Sequence, residues 1–179
     1  MFFVSEIKTT APEQFQTPLQ EKVYHTLRDL HIPFERVDTD EAITMEDCVQ
    51  IDAKLRMKMV KTLFLCNRQQ TAYYLFITVG GKPFSSKNFS SSLGISRVSF
   101  APSEMMQTLL GTRIGAATVF SALTDTGSRV QIVFDRDVLA ERWYGCSDGT
   151  TTGYMKVRTD DILHVFLPFT HHAALTVEV

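Results

Sequence analysis

The chain has 179 residues, 44% of them hydrophobic and 21% charged, which suits one soluble globular domain with a full-sized core. Its net charge of −2 and pI near 6.2 exclude a protein that wraps nucleic acid by bulk electrostatics, but leave room for one that grips an RNA end through a local patch. Cys48, Cys66 and Cys146 lie far apart and never form CxxC, which argues against a disulfide framework or zinc site, and no apolar run approaches the ~20 residues of a bilayer span.

Residues 1–17 are polar overall, end in Gln-Thr-Pro, and read as an N-terminal extension loosely attached to a domain over 18–179. MFFVSEIKTT lacks the apolar stretch of a signal peptide, so the expected location is cytoplasmic. From Leu19 the pattern turns helical: Leu19, Val23, Leu27 and Leu30 share one face, Pro18 suits the first turn, and Pro33 stops the helix. Phe34 to Val37 predicts a short strand. Thr44 toward Lys58 predicts a second helix, with Thr44 as N-cap and Glu46 and Asp47 in its first turn. Thr62 to Cys66 and Ala72 to Val79 are apolar enough for central strands, joined by a turn at Asn67 to Gln70. Ser86 to Leu93 predicts a helix ended by Gly94. Arg97 to Phe100 predicts a strand, and Pro102 opens a helix that Gly111 closes. Ile114 to Leu123 reads as a small-residue strand and loop. Strands follow around Val130 to Asp135 and Gly153 to Arg158, then a helix capped by Thr159 and a last strand over Leu175 to Val179. The class is mixed α/β (α+β), without internal repeats or a linker that marks a second domain.

No GxSxG, P-loop, HExxH or GxGxxG is present. Adjacent residues of a strand point to opposite faces, so His171-His172 chelates poorly; His25 and His164 lie on helices. Neither a metal nor an organic cofactor is expected. Three segments stand out. Lys54, Arg56, Lys58 and Lys61 form a run of cations without an acid, the first three equally explained as a solvated helix end; Lys61 differs because it borders a strand that should be buried. Gly111 to Phe120 is rich in small residues, which lets a backbone approach a ligand closely or simply pack tightly. Tyr144 to Thr152 reads as a polar loop between strands, a frequent frame for sites and as often a plain turn.

The ordered series KTLFL, KPFSSKNFSSSLGISRVSFAPSEMMQTLLG, IGAATVF, VQIVFDRDVL and YGCSDGTTTGYMKVRTDDIL resembles the YbaK/ProX family, from about Leu19 to the C-terminus. These are freestanding relatives of the editing domain of bacterial prolyl-tRNA synthetase. The resemblance implies a largely antiparallel mixed sheet with flanking helices, and hydrolysis of mischarged aminoacyl-tRNA, typically alanyl-tRNA(Pro). It places the family's functional lysine on Lys61 and the glycine of its GxxxP loop on Gly115. It puts Ala116, Thr118, Val119, Phe120, Ser147 and Asp148 in the pocket region. Val119 stands where the family has proline, and Ser147-Asp148 where it has His-Pro.

An activated ester needs no strong nucleophile, so water, backbone donors near Gly115 and a cation at Lys61 suffice for the chemistry. Lys54, Arg56, Lys58, Lys82 and Lys87 are the candidate steering patch for the tRNA acceptor end. Prolyl-tRNA synthetase is a candidate partner. A non-catalytic module that binds tRNA ends or a synthetase, and a small-molecule sensor, are the competing readings.

Overall fold

The structure, a computed structural model, describes residues 1–42 and 44–179. Helix α1 (Pro18–Asp29) starts where Thr17 accepts the amide hydrogen of Gln20 at 3.0 Å and Pro18 fills the first turn. Its apolar face, Leu19, Val23 and Leu27, enters the main core beside Phe120, Phe134, Tyr144, Met155 and Phe166.

Two sheets form the frame. The larger runs β4-β2-β3-β5-β8, built from β2 (Val60–Cys66), β3 (Tyr73–Val79), β4 (Ser99–Phe100), β5 (Val130–Asp135) and β8 (Ala174–Val177). Its β4-β2-β3 half is antiparallel and its β3-β5-β8 half parallel. The smaller, β1 (Glu35–Asp38), β7 (Gly153–Arg158) and β6 (Trp143–Ser147), is antiparallel. A parallel bridge between Met59 and Gly145 joins the two just ahead of β2. Glycine leaves room there: a Cβ at 145 would fall 2.4 Å from Met57 Sδ and 3.1 Å from the Lys58 carbonyl oxygen, so the methionine would have to shift. Mixed α/β with flanking helices is thus the observed class.

Helix α3 (Ser86–Leu93) keeps its expected bounds, ending at Gly94 with φ 65°. Other elements differ from expectation. The second helix, α2, covers only Val49–Leu55. Thr44 caps a separate turn ahead of it, exchanging hydrogen bonds with Asp47 at 3.0 and 3.3 Å, and Arg56 ends α2 with φ 54°. The helix after Pro102 starts as α4 (Ser103–Met105) and widens into a π-helical turn over Met106–Leu110 before Gly111. Ile114 to Leu123 contains no strand: a turn leads into a short 3₁₀ helix over Val119–Leu123. Tyr144 to Ser147 is strand β6 rather than loop, and only the hairpin tip beyond it is irregular. A short helix, α5 (Arg136–Leu139), follows β5. The helix after β7 is composite, α6 (Thr159–Asp161), a π turn over Ile162–Phe166, and α7 (Leu167–Phe169).

Residues 3–10 lie along β1 and its continuation, and Phe15 and Gln16 reach α1. Ser5 and Lys8 donate their amides to the carbonyls of Asp38 and Arg36 at 2.8 Å, and Phe15 stacks on Tyr24. They cover an edge that would otherwise present unpaired backbone groups.

Candidate functional site

A cavity of about 430 Å³ opens where the two sheets meet. Its walls come from β2, the Thr44–Cys48 turn, the start of the helix after Pro102, the glycine turn near 115 and the end of β6. The lining is mostly apolar: Met45, Met59, Phe64 and Met106 supply much of it, and Lys61 is the one charged side chain among the described lining residues.

Lys61 sits on β2 opposite Thr78 of β3. Its ammonium donates to the backbone carbonyl of Lys82. A lysine ammonium has three donors, so two remain for a ligand. Partial burial holds its pKa below the ordinary lysine range. Lys82 itself is anchored: its ammonium binds Asp135 at 2.7 Å, Asp137 at 2.8 Å and the carbonyl of Val179 at 2.9 Å.

Gly115 lies in a turn closed by the Ala116 amide on the Arg113 carbonyl at 3.0 Å. Its φ of 88° is a conformation that side chains resist. Gly115 and Ala117 line the cavity, whereas Ala116, Thr118, Val119 and Phe120 are buried and do not. Thr118 caps the 3₁₀ helix and Val119 opens it.

Ser147 also lines the cavity, but its hydroxyl works inside the hairpin, donating to the Thr150 carbonyl at 2.5 Å and accepting from the Gly149 amide at 3.0 Å. Asp148 is fully buried and does not line it. Its carboxylate accepts from Gln20 Nε2 at 2.9 Å, Tyr24 OH at 2.8 Å and Thr150 Oγ1 at 2.8 Å, tying the hairpin to α1. Gly153 makes room: a Cβ there would stand 2.2 Å from Asp148 Oδ2.

Two thiols reach the cavity, and neither is poised as a nucleophile. Burial, then nearby Asp52 and Asp47, pushes Cys48 up to about 11, and burial raises Cys146 further.

The five candidate steering cations divide. Lys54 pairs with Glu6 at 3.2 Å, Lys58 with Glu141 at 2.6 Å, and Lys82 is held as described. Arg56 and Lys87 are exposed and make no ion pair among the described residues. Exposed pairs such as Lys58–Glu141 are weak and open readily to a stronger anion. His171 and His172 lie elsewhere: His172 is buried with Nε2 3.0 Å from Asp125, and among the described residues no cluster of three or more His, Cys, Asp or Glu side chains suits a metal. No helix among them is long and apolar enough to cross a membrane.

Motif reading missed Met45, Cys48, Met59, Phe100 and Met106, because segments far apart in sequence converge here. Lys61, the run of small residues around Gly115, and Ser147 marked parts of its wall beforehand.

Two sheets thus meet over an apolar cavity, with Lys61 and the positive-φ turn at Gly115 in its wall, in a domain of mixed α/β class. The chain belongs to the aminoacyl-tRNA editing domain family, whose model matches residues 39–165. It is 27% identical over 120 residues to the prolyl-tRNA editing protein ProX of Acetoanaerobium sticklandii, covering 67% of this chain and 73% of that protein. The fold resembles a solved structure described as a candidate trans-editing enzyme for prolyl tRNA synthetase, with TM-score 0.68, 16% identity, and coverage of 92% of this chain and 99% of the other. It also resembles the hypothetical protein APE2540, with TM-score 0.65, 14% identity, and coverage of 87% and 98%.

Proposed function

We propose that this protein is a trans-editing deacylase that hydrolyses the ester of mischarged tRNA in the cytoplasm, with alanyl-tRNA(Pro) as its leading substrate and prolyl-tRNA synthetase as the source of the error. The observation that carries this reading is the meeting of Lys61 and Gly115 in one apolar cavity of an editing-family chain.

The ester carbonyl lies against the glycine turn. Water attacks it, the carbonyl oxygen gains negative charge, and the amides of Gly115 and Ala117 stabilise that oxyanion. One well-placed donor of this kind is worth about 3–4 kcal/mol. The amide of Ala116 already closes the turn, so it is not among the donors. The two free donors of Lys61 hold the ribose–phosphate end or polarise the ester. The tetrahedral intermediate then collapses, the C–O bond to the ribose breaks, and the ribose oxygen takes a proton as the free amino acid leaves. No histidine, aspartate or glutamate lines the cavity among the described residues. The water's proton therefore goes to solvent or to a neighbouring hydroxyl of the substrate ribose.

Selectivity follows from size. A synthetase pocket gains only about 1–3 kcal/mol of discrimination per methylene, so it admits smaller side chains. A second site of limited volume admits the small acyl group and excludes the larger cognate one.

A non-catalytic tRNA-end-binding module is the second reading. It is favoured by Ser147, whose hydroxyl is engaged within the hairpin where the resembling family carries histidine.

Incubation with alanyl-tRNA(Pro), prolyl-tRNA(Pro) and seryl-tRNA, with Lys61→Ala in parallel, tests both. Selective loss of the alanyl ester, abolished by the substitution, is expected. Esters that decay only at the buffer rate would reject the deacylase and leave the binding module.

A further inference from the structure

Among the described residues eight large hydrophobic side chains are exposed, and the two of these that also line the cavity are Phe100, 63% exposed, and Ile114, 67% exposed. Apolar groups left in water at the mouth of a cavity mark a contact surface. Each is held there by fixed backbone. Phe100 lies on β4 opposite Leu65, and the next amide, Ala101, donates to the Phe64 carbonyl at 2.9 Å. Ile114 is the second residue of the turn that carries Gly115.

The Phe100 ring is braced from behind. Phe84 packs on it at 5.7 Å with a tilt of 56°, and Phe84 in turn contacts Phe76 and Phe89, both buried. The ring is therefore a preorganised surface, and a planar partner loses little entropy in settling on it.

We infer that Phe100, with Ile114 in the wall of the same cavity, is the platform on which the 3′-terminal nucleobase of the acceptor end stacks while the aminoacyl ester occupies the cavity. This rests on the deacylase reading. Three observations favour a base as occupant. The ester and the base belong to one nucleoside, so the base platform must lie within a nucleoside's reach of the ester site. Ile114 is next in chain to Gly115, and Phe100 lines the same cavity. A small acyl group deep in the cavity leaves the exposed Phe100 and Ile114 uncovered, whereas a purine covers an aromatic face. The charge arrangement agrees, since Lys61, the one cation among the described lining residues, suits the ribose–phosphate side, and Phe100 and Ile114 are themselves apolar. Phe100 is in this sense a positioning residue.

The test compares wild type with Phe100→Ala, Phe100→Trp and Ile114→Ala on an aminoacylated acceptor-stem minihelix, and on the same minihelix with an abasic 3′-terminal nucleotide. Phe100→Ala is expected to raise KM about tenfold, the order of one lost base stack, with kcat within about twofold. Phe100→Trp should restore KM, Ile114→Ala should raise it less, and on the abasic minihelix wild type and Phe100→Ala should coincide. An equal loss on the abasic substrate, or an unchanged KM, would overturn the inference while turnover by wild type keeps the deacylase reading alive. Binding of uncharged minihelix, read by fluorescence anisotropy, needs no turnover. A Phe100-dependent Kd there supports the platform even if no ester is hydrolysed, and an identical Kd overturns it. Phe100 is exposed, so a melting temperature near wild type will show that Phe100→Ala folds.

Discussion

The ammonium of Lys61 donates to the backbone carbonyl of Lys82, and the ammonium of Lys82 holds that segment by binding Asp135. The cation inside the cavity is thus positioned by a second cation that faces away from it. Asp135 is almost fully buried and also accepts from Thr78 Oγ1 at 2.6 Å. Burial pushes its pKa upward, but the hydrogen bonds from Lys82 and Thr78 outweigh this and hold it below the ordinary carboxylate range. Asp135→Ala removes the acceptor and leaves Thr78 unpaired. Lys82 keeps Asp137, so the expected loss is about 2–3 kcal/mol rather than the full cost of a broken buried pair. Urea unfolding measures it. Turnover should fall by roughly threefold as well, because the segment whose carbonyl orients Lys61 is then held only through Asp137 and the Val179 carbonyl.

Lys61→Met separates stability from function. The substitution keeps the apolar stem and removes a partly desolvated charge that makes one hydrogen bond. An uncompensated cation beside apolar walls contributes little to folding, so stability should change by no more than about 1 kcal/mol in either direction. Turnover should drop by at least about 100-fold, as for loss of a transition-state contact. A calorimetric scan beside a single-turnover assay reads both. A large fall in melting temperature would recast Lys61 as a structural residue.

Asp148 anchors the β6–β7 hairpin to α1. Removing its carboxylate strands Gln20 Nε2, Tyr24 OH and Thr150 Oγ1, of which the first two come from a different element. Asp148→Ala should cost about 3–5 kcal/mol, on the order of 10 °C in melting temperature for a chain of this size. Any loss of turnover should track the unfolded fraction. Full stability combined with lost activity would instead place Asp148 in substrate binding.

Much of the fold was legible wherever one local cue dominated. Ser86 to Leu93 kept its bounds because Gly94 supplies the left-handed residue that ends it, and Pro18 and Pro33 bracket α1. Tyr144 to Ser147 was misread because this strand is buried along its length and carries Gly145 for Met57's sake, so neither alternation nor β-propensity marked it. Of the residues that line the candidate cavity, Lys61 and Gly115 stood out in the ordered series of segments, and the Met-rich wall did not. The cations misled for the same reason. Lys54 and Lys58 looked free because Glu6 and Glu141 stand 48 and 83 residues away in sequence. Distant partners write no local pattern.

Asp52 gives the protein an unusual pH response. Burial pushes its carboxyl up to about 6, against the hydrogen bond it accepts from the Met59 amide at 3.0 Å. A raised acid pKa means the folded state binds more protons than the unfolded state between about pH 4 and 6. The Asp52 contribution to stability therefore falls as pH rises through that window and stays low above it. Asp52→Asn keeps an acceptor for Met59 and removes the charge. The variant should gain about 1–2 kcal/mol over wild type at pH 8, the shift discounted for solvent access, and nothing at pH 4. Denaturant melts at the two pH values check it.

Val119 tests whether the family's proline governs this pocket. Thr118 is extended, with φ −151° and ψ 151°, the conformation a residue before proline adopts. Val119 is the first residue of a 3₁₀ helix, where the amide hydrogen needs no intrahelical acceptor. The backbone is thus already shaped for proline. Val119→Pro should fold, with a gain of about 0.4–1 kcal/mol from the stiffer unfolded chain, offset in part by lost packing of the branched side chain. Val119 is fully buried and does not line the cavity, so the preference for alanyl over prolyl ester should hold within about threefold. A tenfold change in that preference would mean the turn moves with the ring, and that residue 119 sets selectivity through the backbone of Ala117 rather than by contact.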